Sequence, residues 1–329
     1  MAASTVGAMP IMTYPGLTLV KRSVMELVTS GEAQFQCIQA LVSKFPTVAA
    51  PSVMDLSVEA EAFGAEVRFS EAEAPTIIGQ LVTDEASAEA LVIPRVGTGR
   101  TAAYLKAVEL SAAHIQDRPT LAGTIGPFSL AARLINMNAI MPALRRQPKL
   151  VHMVVERSTG FLLEYVKAFR DAGANGVVMA EPAAGLISPK DADTFSAPYV
   201  RRIVEAVQDE HFMVVLHNCG NTTKQVTSLL STGAGAFHFG NAIQMTDILP
   251  QLPDNRLALG NIDPVRAFRM GTRDAVRAQV CALLEAMRPY RHFVLSSGCD
   301  IPPGTPLENV TAFFDALREF NASSRKTNS

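Results

Sequence analysis

One histidine and two cysteines fall where their side chains can meet. His217 and Cys219 end the apolar run Phe212-Met-Val-Val-Leu-His-Asn-Cys-Gly220, and Cys299 ends a second, His292-Phe-Val-Leu-Ser-Ser-Gly-Cys-Asp300. On a strand, residues i and i+2 share a face, so His217 and Cys219 address one point in space. If the second run ends beside the first, Cys299 supplies a third soft ligand. One imidazole and two thiolates make a zinc donor set, and three protein ligands leave a fourth position for chemistry. Zinc held by two thiolates is electron-rich. It lowers the pKa of a bound thiol yet leaves the thiolate nucleophilic, which suits attack on an electrophilic methyl group better than hydrolysis. The competing reading is that free cysteines are small buried hydrophobes. That role is assigned to Cys37 and Cys281, which sit in helical patterns.

Elements that could bring these residues together are spaced along nearly the whole chain. Short apolar runs at 9–14, 47–56, 121–126, 176–181, 212–217, 236–239, 257–262 and 293–297 read as eight strands. Helical periodicity separates most of them, for example over 150–172, 199–209, 221–231 and 264–287. Strict alternation argues for parallel pairing, because parallel neighbours need a crossover. Runs apolar on both faces are what buried parallel strands require. Eight such units predict an α/β fold, a single (β/α)8 barrel of the TIM type. An open doubly wound sheet is the alternative, but no Gly-x-Gly-x-x-Gly opens a helix after a strand. The nearest match, Val96-Gly-Thr-Gly-Arg100, reads as a loop.

Residues 1–329 are read as one domain, with an inserted excursion at 64–76 and a polar, frayed tail at 321–329. With 48% hydrophobic residues, 18% charged residues and a formal net charge of −2, the chain carries no electrostatic footprint for nucleic acid or an anionic membrane. No apolar run is long enough to span a bilayer. The first charged residue is Lys21, so the start lacks the basic flank of a signal peptide. Four cysteines without a framework spacing point to a reducing compartment. The expected location is cytoplasmic.

In such a barrel the site gathers at the C-terminal ends of the strands. Those ends carry Tyr14, Asp55, Glu181, His217, Asn218, Cys219, His238, Asn241, Asn261, Asp263, Cys299 and Asp300. Glu181 is a candidate fourth metal ligand, and equally a rim carboxylate that caps a neighbouring helix. Asp55 is either part of the polar rim or a contact for a bound cofactor or substrate.

Three segments carry a family resemblance: His217-Asn-Cys-Gly-Asn-Thr-Thr223, Cys299-Asp-Ile-Pro-Pro-Gly-Thr-Pro-Leu-Glu-Asn-Val310 and Met54-Asp-Leu-Ser-Val-Glu-Ala-Glu-Ala-Phe-Gly64. They resemble the methylcobamide:coenzyme M methyltransferases of the uroporphyrinogen decarboxylase superfamily. Gly126-Pro-Phe-Ser-Leu-Ala-Ala132 and Leu186-Ile-Ser-Pro189 extend the likeness to nearly the full chain. The resemblance implies a (β/α)8 barrel, zinc on His217, Cys219 and Cys299, and transfer of a methyl group from a methylated corrinoid to a thiol such as coenzyme M. It aligns Glu181 with an acidic fourth-ligand position. It sets Asp55 where the decarboxylases keep an aspartate for their substrate's pyrrole nitrogens.

No Asp-x-His-x-x-Gly signature of a corrinoid-carrying module is present, so the methylcobalamin or other corrinoid is expected on a separate partner protein. One alternative is a donor-side enzyme that demethylates a small methylated substrate onto cob(I)alamin. A non-catalytic corrinoid- or zinc-binding scaffold is another. The decarboxylase alternative meets an obstacle at Pro10-Ile-Met-Thr-Tyr-Pro-Gly-Leu-Thr-Leu19, where the decarboxylases are rich in arginine and this chain has none.

Overall fold

The protein is seen in a computed structural model, described over residues 5–326. In chain order its strands are β1 (Ala50–Pro51), β2 (Glu66–Arg68), β3 (Thr76–Ile78), β4 (Thr120–Ile125), β5 (Gly176–Ala180), β6 (Met213–Asn218), β7 (Ala236–Phe239), β8 (Leu257–Ile262) and β9 (Phe293–Ser297). Seven of them form one parallel sheet in the order β1-β4-β5-β6-β7-β8-β9. β2 and β3 form a separate antiparallel hairpin, which places the expected excursion outside the main sheet.

Residues 7–9 close the ring. Leu295 N donates to Gly7 O and Met9 N to Leu295 O, while Val48 N donates to Ala8 O, each at 2.9 Å. This segment thus stands between β9 and the start of β1 as an eighth stave. The packing agrees, because Met9 and Ile11, Ala49, Leu121, Val178, Val215, Ala236, Leu259 and Val294, with Met54, meet in one apolar cluster to which every stave contributes. That is a filled barrel interior with helices outside, the (β/α)8 barrel expected from the alternation.

The later strands match their expected bounds within a residue, and the first two do not. Pairing of the first stave stops at Pro10, which has no N–H, and Ile11 N then donates to the Ser297 hydroxyl at 3.1 Å. In the second, the backbone ladder runs one residue past Pro51, where Ser52 N donates to Leu121 O at 2.8 Å, and Gly123 N then donates to Ser52 Oγ at 2.8 Å. At both places a side-chain hydroxyl replaces the backbone ladder, so the strands are shorter than 9–14 and 47–56. The helix expected over 264–287 is two pieces, a wide turn at Pro264–Arg269 and a helix at Arg273–Met287. The chain bends between them at Gly271, where a Cβ would lie 2.4 Å from Ala267 O.

The tail departs from expectation as well. A helix runs Leu307–Lys326, and Asn321 exchanges two 3.0 Å hydrogen bonds with the backbone of Val6. That tether pins Asn321, the helix continues to Lys326, and 327–329 lie outside the described residues. Cys37 is buried as expected, whereas Cys281 is exposed on its helix.

Candidate metal centre

Strand alternation aims β6 at the barrel axis through Val215 and His217, with Leu216 and the other alternates facing the helices. Val215 belongs to the interior cluster, so His217 is the next side chain up on the same face. Cys219 continues that face just beyond the strand. It is held by close backbone packing, because a Cβ on Gly185 would fall 2.0 Å from Cys219 O. Cys299 follows β9, and a Cβ on Gly298 would meet Asn241 N at 2.6 Å. Only glycine lets these loops approach so closely.

The three expected donors come together. His217 Nε2 lies 3.0 Å from Cys219 Sγ, and Cys219 Sγ lies 3.6 Å from Cys299 Sγ. All three donor atoms are within 4.8 Å of one another, with the histidine buried and both thiols half-buried. A tetrahedral zinc at ordinary bond lengths needs S···S of about 3.8 Å and N···S of about 3.6 Å. The donor types and spacing fit that ion with a small outward movement of the imidazole. Hydrogen bonding between the two thiols holds Cys299 well below the usual thiol range, while the same bond and burial push Cys219 up.

Glu181 is placed elsewhere. Its carboxylate accepts from Phe128 N and Ser129 N at 2.9 Å and from Ser129 Oγ at 2.6 Å. It caps the helix Pro127–Ile135, whose own N-cap, Gly126, has no side chain for the task. Of the two roles open to it, helix cap is the one this geometry shows, and Glu181 stands outside the three-residue cluster. The signal for that role lay in the sequence: a helix opening with Gly-Pro must borrow its cap. Burial raises Glu181 to about 7 despite these bonds.

Asp55 is likewise committed internally. Oδ1 accepts from Ser57 N and Ser57 Oγ, and Oδ2 from Arg100 Nη1 and Tyr104 Oη. Arg100 also donates to Glu61 and Ser57, which gives the Gly97–Gly99 loop a structural purpose not visible in its sequence. Asp55 is therefore a neutralised element of the rim, and its oxygens have no vacancy for a cofactor.

Several polar groups near the sulfurs had no assigned role in the sequence. His217 Nδ1 lies 2.7 Å from His238 Nδ1, and His238 Nε2 lies 2.9 Å from Ser296 Oγ. The register pairing His217↔His238 on adjacent strands explains the first contact. Both carboxylate oxygens of Asp300, next to Cys299, are buried without a hydrogen-bond partner among the described residues, as is Tyr14 Oη. Burial, then the neighbouring Cys299, holds the Asp300 carboxyl well above its ordinary range.

Comparison with known proteins places this chain in a family. A methylcobamide:CoM methyltransferase MtbA from Methanosarcina mazei is 28% identical over 270 residues, covering 81% of this chain and 78% of that protein. A uroporphyrinogen decarboxylase from Parasynechococcus marenigrum is 30% identical over 211 residues, covering 61% and 58%. Among solved structures, a methyltransferase from Methanosarcina mazei superposes with a TM-score of 0.86 at 22% identity, covering 97% of this chain and 94% of the other. A B12-independent methionine synthase from Shewanella sp. W3-18-1 shares the fold at a TM-score of 0.62 and 11% identity, covering 99% of each chain. No helix among the described residues is long and apolar enough to cross a membrane. Residues 8–320 match the uroporphyrinogen decarboxylase (URO-D) family model, and the chain belongs to that family.

Proposed function

We propose that this chain is a zinc-containing, corrinoid-dependent methyltransferase that moves a methyl group from a methylated corrinoid on a separate protein to a small thiol such as coenzyme M. The observation that carries the reading is the convergence of His217 Nε2, Cys219 Sγ and Cys299 Sγ at the barrel mouth. Similarity to a methylcobamide:CoM methyltransferase over most of both chains supports it.

His217, Cys219 and Cys299 would hold the ion. When bound, zinc would supply a Lewis-acid centre that brings an acceptor thiol to its thiolate form near neutral pH. The protein's part is to present two anionic sulfurs and one neutral nitrogen, and the thiols give up their protons as metal enters. Two thiolate donors keep local charge high, so the acceptor sulfur stays nucleophilic. In the overall transfer a C–S bond forms with the thiolate's electron pair and the cobalt–carbon bond breaks. Its pair stays on the corrinoid as cob(I)alamin, and the thiol proton goes to solvent.

A tetrapyrrole decarboxylase needs a free carboxylate for the pyrrole nitrogens and unpaired cations for the substrate's acids. Here Asp55 and Arg100 neutralise each other in a buried pair, which speaks against that chemistry. Stopped-flow mixing of the zinc-loaded protein with methylcobalamin and a panel of thiols tests the proposal. Cob(I)alamin should appear with the true acceptor. Zinc-replete protein that yields none with any thiol defeats it.

A further inference from the structure

We infer that His238 and Ser296 are positioning residues that fix the tautomer of His217, leaving its Nε2 lone pair bare toward Cys219 and Cys299. The geometry stands by itself, and its consequence for metal binding rests on the reading proposed above.

The direction of the hydrogen bonds follows from the far end of the chain of contacts. Ser296 Oγ lies 2.6 Å from Met9 O. A carbonyl can only accept, so the serine proton points at Met9. Ser296 Oγ then meets His238 Nε2, 2.9 Å away, as an acceptor, and His238 carries its proton on Nε2. A neutral imidazole has one donor and one acceptor nitrogen, so His238 Nδ1 is bare. Its neighbour at 2.7 Å, His217 Nδ1, must supply the proton. His217 is thereby left with a lone pair on Nε2, the atom 3.0 Å from Cys219 Sγ.

Every member of this chain is buried: His217 is 2% exposed, and His238 and Ser296 are 0% exposed. Water cannot reverse the order. The elements are also arranged to hold it. His238 is the register neighbour of His217 on β7, Ser296 points inward from β9, and Met9 belongs to the closing stave. One backbone carbonyl on the first stave thus sets the proton position on β6, across the barrel interior. Free histidine favours the opposite tautomer, with the proton on Nε2, which would turn a donor N–H toward the sulfurs and away from ligation.

The test reads tautomer and metal affinity separately, in metal-free protein carrying 15N-labelled histidine. Two-bond 1H–15N spectra should show His217 protonated on Nδ1 in the wild type. His238→Leu should move the proton to Nε2 and weaken zinc binding, measured against a chromogenic chelator, by about 10–100-fold. His238→Asn, whose side-chain oxygen can accept from Nδ1, should recover most of that affinity. Ser296→Ala is the milder second variant if His238→Leu does not fold, and should populate the other tautomer in both rings. A wild-type His217 protonated on Nε2 overturns the inference, as does undiminished zinc affinity in His238→Leu. Wild-type protein that binds no zinc yet keeps its proton on Nδ1 sinks the metal reading and upholds the positioning role.

Discussion

Glu59 offers a pH dependence that can be measured without touching the candidate metal centre. It lies on the short helix Val58–Ala62 and is 1% exposed. Its Oε1 accepts from Thr124 Oγ1 at 2.8 Å and from Ile125 N at 3.1 Å, and Oε2 is buried with no partner among the described residues. Burial outweighs those two bonds and raises the carboxyl from 4.5 to about 7. Between these pH values the folded chain holds a proton that the unfolded chain has released. The contribution is therefore fully present below 4.5, and stability falls as pH rises through 7. At about 1.4 kcal/mol per pH unit the full gap corresponds to roughly 3 kcal/mol, of which about 2.5 kcal/mol is lost between pH 5 and 8.

Glu59→Gln removes the ionisation while keeping the shape and the Oε1 acceptor. Glu181, raised to about 7 for the same reason, continues to titrate in both proteins and cancels in the comparison. Urea unfolding at constant ionic strength should show the variant gaining about 2.5 kcal/mol on the wild type from pH 5 to pH 8. A difference that stays flat over that range would refute the reasoning, because Glu59 would then ionise as easily folded as unfolded.

Elemental analysis should find about one zinc per wild-type chain, and Cys219→Ala or Cys299→Ala should each lose it while keeping the barrel's circular dichroism. Full metal content in both variants would contradict the assignment. Glu181→Ala should destabilise the protein by about 2–4 kcal/mol, because two N–H groups and a hydroxyl lose their acceptor in a buried site, yet its zinc affinity should be unchanged. Lost affinity would restore Glu181 as a ligand. Arg100→Met strands Asp55 without its main charge partner and should cost about 3–5 kcal/mol in unfolding experiments. An unaltered stability would free Asp55 for a direct contact with substrate or corrinoid.

What could be read from the sequence divides along one physical line. His217 and Cys219 were legible because a period of two along a strand forces same-face placement, and Cys299 because β6 and β9, with β7 and β8 between them, open onto the same barrel mouth. The barrel was legible because eight runs buried on both faces admit few arrangements. The first two staves were misjudged where the Ser297 and Ser52 hydroxyls take over from backbone carbonyls as acceptors, a substitution no periodicity reports. Glu181 was ambiguous for a related reason. A carboxylate at a strand end suits a metal and a helix N-terminus equally, and only the partner's need decides. The helix at Pro127 has no cap of its own, while the three soft ligands already meet without help. His238 shows the same dependence on partners. Its position at a strand end was plain, but its role exists only through β6 on one side and through Ser296 and Met9 O on the other. Ligand identity is thus encoded locally, and proton position on a ligand is encoded by the order of the strands around the barrel. Permuting that order would leave the zinc motif intact in sequence and would remove the constraint that readies His217 to bind.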